Sequence, residues 1–376
     1  MLNDEQKEKL HLIAWKQWHK DKELSVRAAQ YILNIDPYNH VILSNIQHYL
    51  MELPVINELI IDSVNEEHFR PMNTCLSKYN NYLVAFVRSV NYNIVGESYL
   101  AGPPDNSYTS LTKMVLLTTD NQTSISKILD IHNQDERWKR GSAIYGGGYE
   151  DVRVCPKSYQ EDGMTKWIAI GGRYLADEIK LFIFEIIYDD HETVTMSKGY
   201  KIQYGGDCEK NWTPFKYDST KQILTVIYKY SPLVILEIDN KGNVMRSIKD
   251  NIKYNLRCDS YRGGSPVVKI KNRYISIVHE CRTYDGRFYF NRMVELNKYM
   301  QIIGTSYAFN CRTGEKIEYI MGLIASDDEQ FVYIAVGVND SQSRILTIDA
   351  NILLSLIHTE HHYIEEVKKI LEKEYY

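Results

Sequence analysis

The chain has 376 residues, 44% hydrophobic and 25% charged, with a net charge of −5. That is enough apolar material for one large domain or two smaller ones with a real core. The negative balance argues against nucleic-acid binding, which needs a concentrated positive surface. No segment approaches the ~20 apolar residues that span a bilayer.

The N-terminal stretch MLNDEQKEKLHLIAWKQWHKD has no uninterrupted apolar run, so no secretory signal is expected. Residues 1 to about 60 read as helical. Leu10, Ile13, Ala14 and Trp18 recur at helical spacing, as do Leu24, Ala28, Tyr31 and Ile32. Asp36-Pro37 closes the second helix, and Asn39 is placed to cap a third running to Leu50. The segment AAQYILNIDPYN resembles the second helix and exit of a tetratricopeptide repeat. Residues 1–69 are therefore expected to form a small helical extension, packed on the main domain or offered to a protein partner.

From about residue 70 the character changes. Short apolar runs rich in Ile, Val, Tyr and Phe are bounded by Gly, Asn, Asp and Pro, which predicts strands. They fall at 82–90, 167–171, 181–187, 223–228, 233–238, 274–278 and 331–338. The strand ends FIFEII, VILEID, RMVELN and ILTID recur. Glu185, Glu237 and Glu295 are 52 and 58 residues apart, and Thr347 follows 52 later. Polar clusters recur likewise at Arg88, Asp151, Lys210, Gly263 and Tyr319, with gaps of 63, 59, 53 and 56. A period of about 50 to 60 residues is that of a four-stranded propeller blade with its loops. Residues 70–350 hold five such periods, so an all-β, five-bladed β-propeller is predicted. Residues 351–376 read as a C-terminal helix, with Ile364, Val367, Ile370 and Leu371 on one face.

Equivalent loops of propeller blades meet at one mouth of the central channel. The clusters are therefore expected to converge. They are RSVNY (Arg88, Asn91, Tyr92), YGGGYEDVR (Glu150, Asp151, Arg153) and DCEKNWTPF (Glu209, Lys210, Asn211, Trp212). Next come YRGGSP with HECR (Arg262, Ser265, His279) and EYIMGL with GVND, which ends at Asp340. Taken singly, each has an ordinary structural explanation: Arg88 a paired charge, Lys210 a solvated one, His279 a core histidine, Trp212 packing. Together they offer cations, carboxylates and an indole. Guanidinium groups bind phosphate or carboxylate bidentately. A carboxylate among cations exchanges protons, and an indole face suits a sugar ring. That set suits glycosyl transfer to or from an anionic leaving group.

The six cysteines, Cys75, Cys155, Cys208, Cys258, Cys281 and Cys311, form no CxxC pair. Zinc spacing is absent, and reduced thiols in a cytoplasmic protein are expected. Asn211-Trp212-Thr213 is formally a glycosylation sequon. A glycan there would block the loop, which also argues against secretion.

The ordered series R-x-x-N-Y, G-x-E-D-x-R, E-K-N-W-x-P-F, R-G-[GS]-S with a following H-E, E-x-x-x-G-L and G-V-x-D resembles a group of five-bladed propeller carbohydrate enzymes. These are glycoside hydrolase family 130, the β-mannoside phosphorylases, and the related β-1,2-mannosyltransferases. The likeness covers roughly residues 70–350, and E-K-N-W-x-P-F is its most specific part. It implies an inverting reaction. In that family an Asp of an E-D-P-R element is the general acid, and Arg, Lys and His side chains hold phosphate. The resemblance therefore makes Asp151 the acid or base, and Arg88, Arg153, Lys210, His279 and Arg262 the phosphate or donor contacts. Asn91, Tyr92, Glu150, Asn211, Trp212, Ser265 and Asp340 are the expected sugar contacts. Here the motif reads E-D-V-R, which frees the backbone angle beside Asp151.

The leading expectation is an inverting glycosyltransferase using a nucleotide-sugar donor, such as a mannosyl one, on a glycan acceptor, with a nucleotide sugar or sugar phosphate as the expected small-molecule partner. A β-mannoside-type phosphorylase or hydrolase is the alternative, and a non-catalytic glycan-binding scaffold is the third. No cofactor and no metal are expected, since there is no DxD beside a nucleotide fold and no His/Cys cluster.

Overall fold

The structure is a computed structural model of the chain. It describes residues 3–17, 19–36, 39–62, 69–95, 98–100, 108–119, 123–133, 148–175, 178–189, 191–250, 258, 260–282 and 287–372. Trp18 and Pro37, and with Gly146 and Gly147 most of the glycine run, lie outside the described residues.

The chain is mostly β. The strands group into antiparallel units of four. The first joins Arg70–Tyr79, Tyr82–Val90, Ser110–Thr118 and Ser124–Asn133. In the second, Glu150–Val154, Met164–Leu175, Glu178–Tyr188 and Val194–Met196 pair in turn. The third runs Thr213–Asp218, Ile223–Tyr230, Leu233–Asp239, Val244–Lys249. In the fourth, Arg262–Gly263 and Val268–Ile270 both pair with Arg273–Arg282, followed by Phe288–Leu296 and Ile302–Ser306. The fifth takes Glu318–Ala325, Phe331–Val338 and Gln342–Asp349, and its outer strand is Asn57–Ile60 from the front of the chain.

These units close on one another through apolar junctions. Phe86 and Trp167 sit in the core between the first and second units. Ile183 and Leu224 join the second to the third, and Ile227 and Val278 the third to the fourth. Ile277 and Ile334 join the fourth to the fifth. Leu76 and Tyr333 then join the fifth back to the first. Alternating apolar residues on each strand supply both faces, because successive side chains point to opposite sides of a sheet. Each fully buried Leu, Ile or Phe contributes roughly 1.5–3 kcal/mol.

The recurring E/T signature falls on the third strand of its unit each time, at Glu185, Glu237, Glu295 and Thr347. The polar clusters are less regular. Asp151, Gly263 and Tyr319 lie on first strands and Lys210 just ahead of one, while Arg88 is on the second strand of its unit. The matching first-strand position in that unit is near Asn73.

The helical front differs from expectation in two ways. Helices occupy Asp4–Lys16, Lys22–Ile35 and His40–Leu43, the first with an Asn3/Gln6 capping box. The third helix stops at Leu43 instead of reaching Leu50. Ser44 and Asn45 turn their side chains back to the Val41 carbonyl, at 3.0 and 3.3 Å, in place of further helix. The boundary expected at residue 70 also moves forward, since Met51–Glu52 and Asn57–Ile60 are already sheet strands. The C-terminal segment is likewise broken. Helix Ala350–Ser355 is followed by Ile357–His358, which pairs with Thr305–Ser306, and then by helix Glu360–Glu372. Tyr363, Val367 and Ile370 pack with the front helices against Phe290 and Tyr307 of the fourth unit and its exit.

Candidate active site

Asp151 opens the first strand of the second unit with φ +47°, a left-handed conformation that Asp tolerates better than most residues. Its carboxylate accepts from Arg88 Nη1 at 2.9 Å and from Asn73 Nδ2 at 2.9 Å. Asn73 sits at a bulge, where the register slips between Met72 and Thr74. A bulge re-aims a side chain, here toward the neighbouring unit. Glu150 meets the same guanidinium at 3.0 Å through one oxygen and lies 3.7 Å from Lys210 Nζ through the other. Both carboxylates keep about a fifth of their side-chain surface exposed, at 21%.

Arg88 is buried and its other donors are used. Nε donates to Ser110 Oγ at 2.6 Å and Nη2 to the Tyr92 hydroxyl at 2.9 Å. Gly148 (φ +101°) permits the approach to that strand, because a Cβ there would stand 1.7 Å from the Ser110 carbonyl oxygen.

A second group lies beside the first. Arg153 donates to Asn211 Oδ1 at 3.1 Å, to the Gly264 carbonyl at 3.2 Å and to the Tyr319 hydroxyl. Tyr319 in turn donates to Asn211 Oδ1 at 2.8 Å. His279 packs edge-on against Tyr319, ring centroids 4.8 Å apart. Its Nδ1 is buried with no hydrogen-bond partner among the described residues. Arg262 is its register partner on the adjacent strand.

Glu150, Asp151, Arg153, Lys210 and Asn211, with Gly172, Ile179 and Leu181, line a cleft of about 230 Å3, solvent mouth included. Its electrostatics are uneven. Burial pulls the Asp151 carboxyl upward, but Arg88, Arg153, Asn73 and Lys210 outweigh it and hold the group at about 2. Asp340, in a turn at φ +48°, moves the other way. Burial raises it, and Asp151 and Glu150 oppose its charge despite Arg88. Burial, with Arg153 and Arg262 nearby, lowers the His279 imidazole to about 3, so it is neutral at pH 7. Lys210 is raised against its burial by Glu150, Tyr174 and Asp151.

The expected contacts thus separate. Asp151, Glu150, Arg153, Lys210 and Asn211 share one cleft, with Arg88 bonded directly behind the two acids. Four readings are corrected. Trp212 does not offer its face to a sugar. It is 1% exposed, packed on Tyr204 and Tyr228, with its indole N–H on Glu209 Oε2 at 2.9 Å. Ser265 is wholly buried, its hydroxyl donating to the Pro266 carbonyl and accepting from Ile277 N. Asn91 is buried and its side-chain oxygen accepts from Thr109 N at 2.8 Å. Tyr92 is buried as a partner of Arg88. These four shape the loops; they do not face the cleft.

Asn73, Ser110 and Tyr319 complete the site without having been selected as contacts from the sequence. Tyr319 marked a cluster, but an isolated Asn or Ser in a strand carries no signal. Among the described residues no group of three His, Cys, Asp or Glu side chains is placed to hold a metal ion. No helix among them is long and apolar enough to cross a membrane.

No protein-family model matches the chain, and no curated protein matches it by sequence. Solved structures do match. A glycosyl hydrolase from Bacteroides ovatus aligns at 13% identity over 80% of this chain and 91% of its own, with a TM-score of 0.51. A β-1,2-mannobiose phosphorylase from Listeria innocua aligns at 10% identity over 80% and 99%, TM-score 0.50. A third structure comes from the GH130 family, described as mannoside phosphorylases that include hydrolases of β-1,2 mannosidic linkages in Candida mannan. It aligns at 11% over 80% and 91%, TM-score 0.51. This chain has the fold of the family 130 mannoside phosphorylases. Within it, the first strands of the second and fifth units bring Arg153 and Tyr319 into contact, with Asp151 two residues before Arg153.

Proposed function

We propose that the chain is a five-bladed propeller that transfers a sugar, mannose by its fold relatives, between a phosphate-linked donor and a glycan hydroxyl. The transfer inverts the anomeric carbon. The antiparallel units and their closed ring of apolar junctions support the five blades.

One observation carries the chemistry: an ionised Asp151 is fixed among Arg88, Arg153 and Lys210. A carboxylate so held is ready to accept a proton. The acceptor oxygen attacks C1 while the bond from C1 to the phosphate oxygen breaks. The bonding electrons leave with the phosphate, and the acceptor proton passes to Asp151. Arg153 and Lys210 offset the charge growing on the phosphate, which is worth most in a site that excludes water. A bound phosphate also neutralises part of the field acting on Asp151. Its pKa then rises toward the range of a useful base.

The donor is a nucleotide sugar or a sugar 1-phosphate; both present the same anion to these cations. With a sugar 1-phosphate the reverse step is phosphorolysis, with Asp151 returning the proton to the leaving hydroxyl. The likeness to a mannobiose phosphorylase favours that second reading.

The test offers GDP-mannose and mannose 1-phosphate separately with manno-oligosaccharide acceptors, and oligosaccharide with inorganic phosphate. Asp151→Asn is run alongside. Turnover of one donor, falling about 10²–10⁴-fold in the variant, is the expected result. Full activity in Asp151→Asn removes that residue from the chemistry. No binding and no turnover in any arm would leave the scaffold reading.

A further inference from the structure

Behind the Arg262–His279 pair lies a second polar network, buried at Arg292, Glu280 and Asn34. Arg292 Nε donates to Glu280 Oε1 at 2.8 Å. Its Nη1 donates to Asn34 Oδ1 at 2.8 Å and to the Ser306 carbonyl at 3.2 Å. The other Glu280 oxygen accepts from Arg282 Nη2 at 2.9 Å and from the Ser260 hydroxyl. Arg292, Glu280 and Asn34 are all buried. Asn34 belongs to the helix Lys22–Ile35, and Tyr363 of the C-terminal helix lies against it.

The sequence neighbours of this network are the point. Glu280 follows His279 on one strand, and Ser260 and Tyr261 lead into Arg262, where the strand it pairs with begins. Adjacent strand residues face opposite sides. The network therefore holds the strand at Glu280, next to His279, and the turn at Ser260 that leads into Arg262, and ties both to the helix through Arg292 and Asn34. Buried ionic groups tied by several hydrogen bonds hold their geometry stiffly, since losing one partner strands a charge.

We infer that Asn34 is a positioning residue for the anion-binding side of the site, acting through Arg292 and Glu280 on Arg262 and His279. The inference rests on the phosphate-handling reading above, in which Arg153 meets the anion; Arg153 is bonded to Tyr319, against which His279 packs. It makes the helical layer part of the site's support, where packing alone would leave it a cap.

A control exists on the same helix. Gln30 clamps it to Tyr49 and Ala308, donating at 2.6 and 3.0 Å and accepting from Ala308 N at 2.8 Å, without touching Arg292. The experiment compares Asn34→Ala, Asn34→Asp and Gln30→Ala in the full chain. Histidine-labelled protein reports the His279 imidazole resonances, assigned with His279→Gln, and calorimetry reports inorganic phosphate affinity. Asn34→Ala is expected to move those resonances and weaken phosphate by about threefold to tenfold. Asn34→Asp keeps the acceptor for Arg292 and is expected to restore both. Gln30→Ala is expected to lower the melting temperature and leave both readouts in place. Asn34→Ser carries the same expectation where the alanine variant does not fold. Imidazole resonances in Asn34→Ala that match those of Gln30→Ala overturn the inference. Wild-type protein that ignores phosphate sinks the phosphate reading instead, while the imidazole signals still decide the network.

Discussion

Arg88 Nη1 stands 2.9 Å from Asp151 Oδ1 although 63 residues separate them. Glu150 shares the same guanidinium, so one buried cation compensates two carboxylates. Arg88→Met is therefore expected to cost about 3–5 kcal/mol, the usual result of removing one partner of a buried pair. Asp151→Asn added to it should recover part of that loss. Denaturant unfolding of the two single variants and the double variant measures it; simple additivity would disprove the coupling.

His279 gives a signed pH dependence. Its imidazole is lowered from 6.5 to about 3 by burial, with Arg153 and Arg262 adding to the effect. Between those values the unfolded chain binds a proton that the folded chain does not. Its contribution is thus complete above pH 6.5 and is lost as pH falls toward 3. From pH 7 to pH 5 the loss should be about 2 kcal/mol. His279→Gln should lack this component when unfolding is followed at both pH values.

Glu209 organises the loop that carries Lys210 and Asn211. Its carboxylate accepts from Gly206 N at 2.6 Å and from Trp212 Nε1 at 2.9 Å, and Tyr228 lies at 3.4 Å. Glu209→Ala leaves the buried Trp212 indole N–H without its partner, at a cost of about 1–3 kcal/mol. The expected outcome is a changed Trp212 emission and a raised KM for the anionic substrate. An unchanged KM would detach the loop from binding.

Gly264 has no room for a side chain. A Cβ there would lie 2.6 Å from the carbonyl oxygens of both Ile277 and Ile320. Its own carbonyl also receives Arg153. Gly264→Ala should destabilise the fold by about 1–3 kcal/mol and lower activity more than an equally destabilising core change such as Ile345→Val at the junction of the fifth unit with the first. Thermal melting with parallel activity assays separates the two effects.

Much of the β body was legible in the sequence. The runs 82–90 and 331–338 match observed strands at both ends. The E/T signature marks third strands because a repeated unit puts the same burial demand at the same place. Glu150, Asp151 and Arg153 from one expected cluster and Lys210 and Asn211 from the next do line one cleft. The cap expected at Asn39 is local and is present, its side chain accepting from Ile42 N.

Tertiary structure alone decided the rest. Trp212 and Ser265 are polar-loop residues in sequence, yet the turn folds them inward, because burial depends on what packs above a loop. Asn73 reaches Asp151 only because a bulge turns it, and a one-residue slip in register is invisible along the chain. Residues 57–60 pair with Gln342–Asp349 across nearly the whole length of the chain, a partnership that no local pattern announces. The sequence by itself determined which chemical groups exist and how often they repeat. Which of them come together was decided by packing between segments 58 to 166 residues apart, where the free energy of burial is shared by both partners and written in neither.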